Sequence, residues 1–291
     1  MTPETTHRRS RLAPLLTDVS LEITGKDSER LRELGPLARP GTRVNVTFLA
    51  HETPATRIGA ARALTDLGMV PVPHLSARRI ASHESLTELL ADLQGSRSGE
   101  SVLVVGGDPL LPEGPYPDAL SLIESGELER HGVRHVSITG YPEGHPDIAT
   151  PALWESLREK VSALSARGLD GAITTQFCFD ADAVLAWVEE LRGTGVGLPV
   201  RVGVPGPAGT KRLLAYAKRF GVANSTAAIR RYGLSVTKLM STAGPDRFVH
   251  RLASGYDPDR HGELRLHMYT FGGVAAACEW VHTFRVAHGV E

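Results

Sequence analysis

Eight short runs rich in valine, isoleucine and threonine alternate with helical stretches along most of this chain. That alternation confines it to folds built on a parallel sheet. The runs are Val19–Ile23, Arg43–Phe48, Val70–His74, Ser101–Val105, His135–Thr139, Gly171–Phe177, Val200–Val204 and Leu264–Thr270. Helical patterns cover 53–67, 82–93, 116–126, 151–166, 180–192, 208–219, 226–240, 245–254 and 274–286. Thr53 before Pro54 fits an N-cap followed by proline at the first helical position, and Thr150 before Pro151 repeats the signal. Gly68 and Gly168 stand where helix C-caps belong. Eight β/α units without a linker or compositional break predict an α/β chain folded as a single (β/α)8 TIM-type barrel over residues 14–291. A doubly wound open sheet is the alternative. Residues 1–13, with the basic cluster His7, Arg8, Arg9 and Arg11, are expected to form a disordered tail.

Charge and hydropathy exclude several functions. With 32 basic against 33 acidic residues the net charge is −1, which argues against a nucleic-acid partner. No apolar run is long enough to span a membrane, and the first residues lack a hydrophobic signal core, so a cytoplasmic protein is expected. The two cysteines, Cys178 and Cys278, have no CxxC spacing and read as buried free thiols.

Parallel barrels build their sites from the carboxyl ends of the strands. The most telling segments are TGYPEGH at 139–145 and AITTQFCFD at 172–180, which place polar side chains at both strand ends of one βαβ unit. The predicted rim holds Glu22, Thr47, His74, Asp108 behind Gly106 and Gly107, Tyr141, Glu143, His145, Gln176, His267, Tyr269 and Thr270. Acids, histidines, an amide and hydroxyls at strand ends are what a catalytic barrel needs. Glu22 lies between Leu21 and Ile23, a carboxyl in an apolar setting. Gln176, among apolar neighbours, costs free energy unless its amide finds partners. Asp108 in GGDP is also compatible with a plain turn. His74, Asp108, Glu143 and His145 could instead bind a divalent metal for lyase or hydrolase chemistry. No Walker A, GxGxxG, HExxH or GxSxG sequence is present.

These segments resemble the methylenetetrahydrofolate reductase family. GYPEGHP is similar to that family's YPE-x-HP motif, AITTQFCFD to its ITQ-FFFD motif and VPHLS at 72–76 to its PHLTC motif. VNVTF at 44–48, GGDP at 106–109 and HMYTF at 267–271 resemble its VSVTY, RGDP and HFYTLN segments. The resemblance implies a (β/α)8 barrel that reduces 5,10-methylenetetrahydrofolate to 5-methyltetrahydrofolate with NADH or NADPH, through bound FAD or by direct hydride transfer to the folate. It implies Glu22 as general acid, Asp108 as a catalytic residue touching folate and flavin, and Gln176 and Tyr269 as substrate-binding residues. Thr47, His74, Asp108, Tyr116, Tyr141, His145 and Lys160 are the implied cofactor contacts. Ring opening of the methylene-folate requires a proton on the departing nitrogen, which a shielded carboxylic acid can supply. Departures fall on the side implied for the flavin tail. Gly106 stands for an arginine, Gly272 and Gly273 for an asparagine and an arginine, and Leu153 and Ser156 for polar helix positions. A folate- or flavin-binding paralogue without turnover is the non-enzymatic alternative.

Overall fold

The computed structural model describes residues 11–27, 30, 39–49, 52–221 and 242–290. Eight of its strands form a closed barrel: β1 (Ser20–Ile23), β2 (Arg43–Val46), β3 (Val70–Ser76), β4 (Ser101–Val105), β5 (His135–Gly140), β6 (Asp170–Phe177), β7 (Val200–Pro205) and β8 (Leu264–Tyr269). Their spatial order, β1-β8-β7-β6-β5-β4-β3-β2, closes the sheet on itself. The alternating helices make it a (β/α)8 TIM barrel, and the open-sheet alternative is set aside. Register is parallel where β2 pairs β3 (Asn45 opposite Val72), where β3 pairs β4 (His74 opposite Leu103) and where β8 pairs β7 (His267 opposite Gly203).

The larger helices are α1 (Pro54–Asp66), α2 (His83–Gly95), α3 (Ala119–Glu124), α4 (Glu127–Arg130), α5 (Thr150–Ala166), α6 (Ala181–Gly193), α7 (Thr210–Arg219), α8 (Asp246–Gly255), α9 (Pro258–His261) and α10 (Val274–His288). Their ends follow the local signals. The Thr53 hydroxyl accepts from the Thr56 amide, with Pro54 in the first turn of α1. Gly68 and Gly168 adopt φ of 71° and 66°. After α1, the Gly68 amide donates to Thr65 and the Met69 amide to Leu64, and the same pair of bonds recurs from Gly168 to Ser165 and from Leu169 to Leu164. These are Schellman caps, which tie up carbonyls that the last turn would otherwise leave unbonded.

By internal packing the chain divides into two compact units. One comprises Met1–Leu21, Gly140–Leu153 and Thr174–Glu291, and the other Glu22–Thr139 and Trp154–Ile173. In the first, residues 11–17 form an opening helix with Leu12, Leu15 and Leu16 at 0% exposure. Phe177, Phe179 and Phe248 complete that core. In the second, Leu64, Leu75, Leu86 and Ile123 are fully buried.

Four expectations shift. The helix expected at 116–126 starts at Ala119 behind an Asp118 capping box and breaks at Gly126 (φ 81°), continuing as α4. Strand β2 stops at Val46 rather than Phe48, and β3 runs two residues past His74. Residues 11–13, assigned to the tail, belong to the opening helix, because Leu12 has an apolar niche to fill. The helix expected at 226–240 and most of the tail lie outside the described residues. Among the described residues, no helix is long and apolar enough to cross a membrane. Both cysteines are free and buried.

Candidate active site

Within the unit Glu22–Thr139/Trp154–Ile173, a polar chain joins three neighbouring strands. Glu22 is the one half-buried residue of β1, between Leu21 at 3% and Ile23 at 1% exposure. Its Oε2 lies 3.7 Å from Nε2 of His74 on β3, with both side chains largely shielded. The same ring nitrogen lies 3.3 Å from Nδ2 of Asn45 on β2, and Asn45 is 3% exposed. Sequence reasoning missed Asn45. The available signal was a polar residue between Val44 and Val46, on the same strand face as Thr47 by the two-residue period.

Thr47 follows β2. Its amide donates to the Ile23 carbonyl, while its Oγ1 is buried without a hydrogen-bond partner. Asp108 follows β4 and is largely exposed, and its carboxylate is engaged by Arg79, with Nη2 at 2.8 Å and Nε at 2.9 Å. Gly107 makes that turn possible: its φ is 96°, and a Cβ there would stand 2.3 Å from Oγ of Ser76. Arg79 also reaches Glu113, while Arg78 holds the carbonyls of Pro109 and Pro117. The two arginines thus pin the loop from 108 to 117, a role that the RR pair after β3 did not announce.

Tyr116 is buried, and its hydroxyl pairs with Nδ1 of His83 at 3.1 Å. Burial raises its pKa, with Glu127 and Glu84 adding to the effect. Lys160 on α5 is 6% exposed. Burial pushes its ammonium down to about 8, against the opposing pull of Asp118 and Glu159.

The other unit carries Gln176 and a group of aromatic rings. Gln176 lies near the end of β6, half-buried, and its Oε1 accepts from the Phe177 amide. Tyr269 on β8 donates from its hydroxyl to the Thr175 carbonyl at 3.0 Å. Its ring lies edge-on to Phe177 at 5.3 Å and to His267 at 5.0 Å. His267 is fully buried, with Nδ1 2.8 Å from Oγ of Ser20. Phe271 stacks on Tyr216 at 4.1 Å, continuing the aromatic surface.

After β5, Tyr141 and His145 meet edge-to-face at 5.3 Å, and Nδ1 of His145 accepts from the Asp147 amide. Glu143 is structural. Its Oε1 accepts from the amides of Phe179 and Asp180 at 2.6 and 2.7 Å, tying the loop after β5 to the start of α6. Burial, with Glu143 nearby, drives the Cys178 thiol well above its ordinary pKa, so it is no nucleophile. The four residues considered for a metal are engaged in these separate ways. Among the described residues, no group of three His, Cys, Asp or Glu side chains is placed to hold a metal ion.

A sequence model of the family described as methylenetetrahydrofolate reductase matches residues 17–223. A methylenetetrahydrofolate reductase (NADH) from Arabidopsis thaliana is 31% identical over 122 residues, which are 36% of this chain and 20% of the plant protein. A 5,10-methylenetetrahydrofolate reductase from Pectobacterium carotovorum is 30% identical over 151 residues, 52% of this chain and 48% of the relative. This chain thus matches less than half the length of either. Among solved structures, a Clostridium thermocellum protein that binds two copies of 5-methyl-5,6,7,8-tetrahydrofolic acid shares the fold. It has a TM-score of 0.58 and 10% identity, and the match covers 96% of this chain and 99% of that one.

Proposed function

The chain belongs to the methylenetetrahydrofolate reductase family, and we propose that it reduces 5,10-methylenetetrahydrofolate to 5-methyltetrahydrofolate with NADH or NADPH as hydride source. The observation that carries this reading is the shielded Glu22 carboxyl facing His74. The Arabidopsis relative named for NADH supports the nicotinamide, and the folate-binding structural neighbour supports a folate ligand.

In this reading Glu22 protonates N10 of the folate as the bond from the bridging carbon to N10 breaks, with the electron pair going to nitrogen. The carbon is left as an N5 iminium. Hydride arrival forms the methyl group, and the N5=C π pair returns to N5. Gln176 presents both a donor and an acceptor, which suits the pterin edge. Tyr269 and the neighbouring rings offer an apolar, stackable surface.

FAD fits this chain poorly. Thr47, with its unpartnered Oγ1, suits a ring contact. The tail side does not suit a diphosphate: the Lys160 ammonium is buried, Gly106 brings no cation, and Gly272 and Gly273 bring neither a side-chain amide nor a cation. We therefore place the hydride transfer directly from nicotinamide to folate. His74, Tyr116, Tyr141 and His145 then act in the loops and on the substrates rather than on a flavin.

The test is NADH consumption at 340 nm by flavin-free protein, with and without 5,10-methylenetetrahydrofolate. Folate-dependent oxidation without added FAD is expected. A requirement for FAD would return the flavin to the mechanism, and inactivity under both conditions would remove the reductase assignment.

A further inference from the structure

The contact between Asn45 and His74 determines more than packing. With the Asn45 amide turned as the structure has it, Nδ2 faces Nε2 of His74 at 3.3 Å, and in that orientation the amide donates to the Nε2 lone pair. A neutral imidazole has one N–H, and that orientation puts it on Nδ1. The nitrogen that faces Glu22 is therefore an acceptor. Register places Asn45 opposite Val72, two residues before His74 on the same strand face, so the amide reaches the ring from the adjacent strand with its backbone fixed by the barrel.

We propose that Asn45 is a positioning residue for the acid: by donating to Nε2, the nitrogen nearest Glu22, it holds His74 in the Nδ1–H tautomer. This rests on the reading of Glu22 as general acid. Once Glu22 has given its proton to the folate nitrogen, a carboxylate remains 3.7 Å from Nε2. A hydronium proton from solvent adds to the Nε2 lone pair, displacing the Asn45 N–H and releasing water. The ring closes on Oε2 by under about 1 Å to hydrogen-bonding distance, and the proton passes to the carboxylate, returning the lone pair to Nε2. While the ring is protonated, Nε2 no longer accepts from Asn45, and the two N–H groups stand near each other as donors. The proton in transit is thus driven on to Glu22, and the resting tautomer is restored. His74 relays the proton without holding it.

The test is ¹⁵N NMR of histidine-labelled full-length protein, with His74 assigned by comparison with His74→Gln. The wild type is expected to show a protonated Nδ1 and an unprotonated Nε2 on His74. Asn45→Asp replaces the donor by an acceptor and should invert the tautomer. Its kcat should fall at least about tenfold, part of the roughly hundredfold or larger contribution of a general acid, while KM for the folate changes by less than about threefold. A wild-type spectrum with the proton on Nε2 overturns the proposal whether or not the variant folds. So does an Asn45→Asp protein with an inverted tautomer and unchanged kcat. Failure of the underlying reading looks different: Glu22→Gln would then turn over at full rate, with the His74 tautomer as described.

Discussion

Replacing Glu22 with glutamine keeps the side chain's shape and takes away its transferable proton. Folate reduction is expected to fall by at least about a hundredfold, with folate binding nearly unchanged, because the loss falls on the transition state. Steady-state kinetics and folate titration check this together. Lys160 offers a second test. Its ordinary value is 10.5 and burial holds it near 8. Between those limits the unfolded chain binds more protons than the folded one, so stability rises with pH through that window. The penalty is fully present below it, amounting to at most about 3 kcal/mol. Lys160→Met should therefore stabilise the protein by roughly 1–3 kcal/mol at pH 7. The gap should shrink as urea titrations are repeated toward pH 10.5. A variant no more stable than wild type at neutral pH would show that the ammonium is better satisfied than its burial implies.

At the scale of single elements, the Glu143 carboxylate braces two loops at once. Glu143→Ala leaves the amides of Phe179 and Asp180 without their acceptor and should cost about 2–4 kcal/mol, with Glu143→Gln losing roughly half as much. Denaturant midpoints separate the two, and equal loss in both would place the cost elsewhere. The strands were legible because β-branched runs bounded by Gly, Pro and Asp have few other uses, and the caps were legible because Thr53, Gly68 and Gly168 act on their own turns. The helix expected at 116–126 begins only at Ala119, because Asp118 caps it there and Pro117 keeps Tyr116 out of the helical region. The candidate site was half legible. Glu22, His74 and Gln176 announced themselves as polar residues in apolar strands. Whether a side chain meets Arg79, as Asp108 does, or two backbone amides, as Glu143 does, depends on partners that sequence spacing does not encode.

For the whole molecule, the opening helix is fastened from far along the chain. Arg285 on α10 is 8% exposed and gives its guanidinium N–H groups to the carbonyls of Leu16 and Thr17. With Leu15 at 0% exposure, Leu15→Ala should cost about 3 kcal/mol, read from urea unfolding. A loss below about 1 kcal/mol would mean that the helix contributes little to the fold. The same fastening sets a schedule. The bond from Arg285 to Leu16 spans 269 residues. A nascent chain therefore cannot close this bond until the ribosome has made nearly everything else, and contacts that distant form late. At roughly 5–20 residues per second, synthesis leaves the Leu16 and Thr17 carbonyls waiting some tens of seconds for the guanidinium that fastens them.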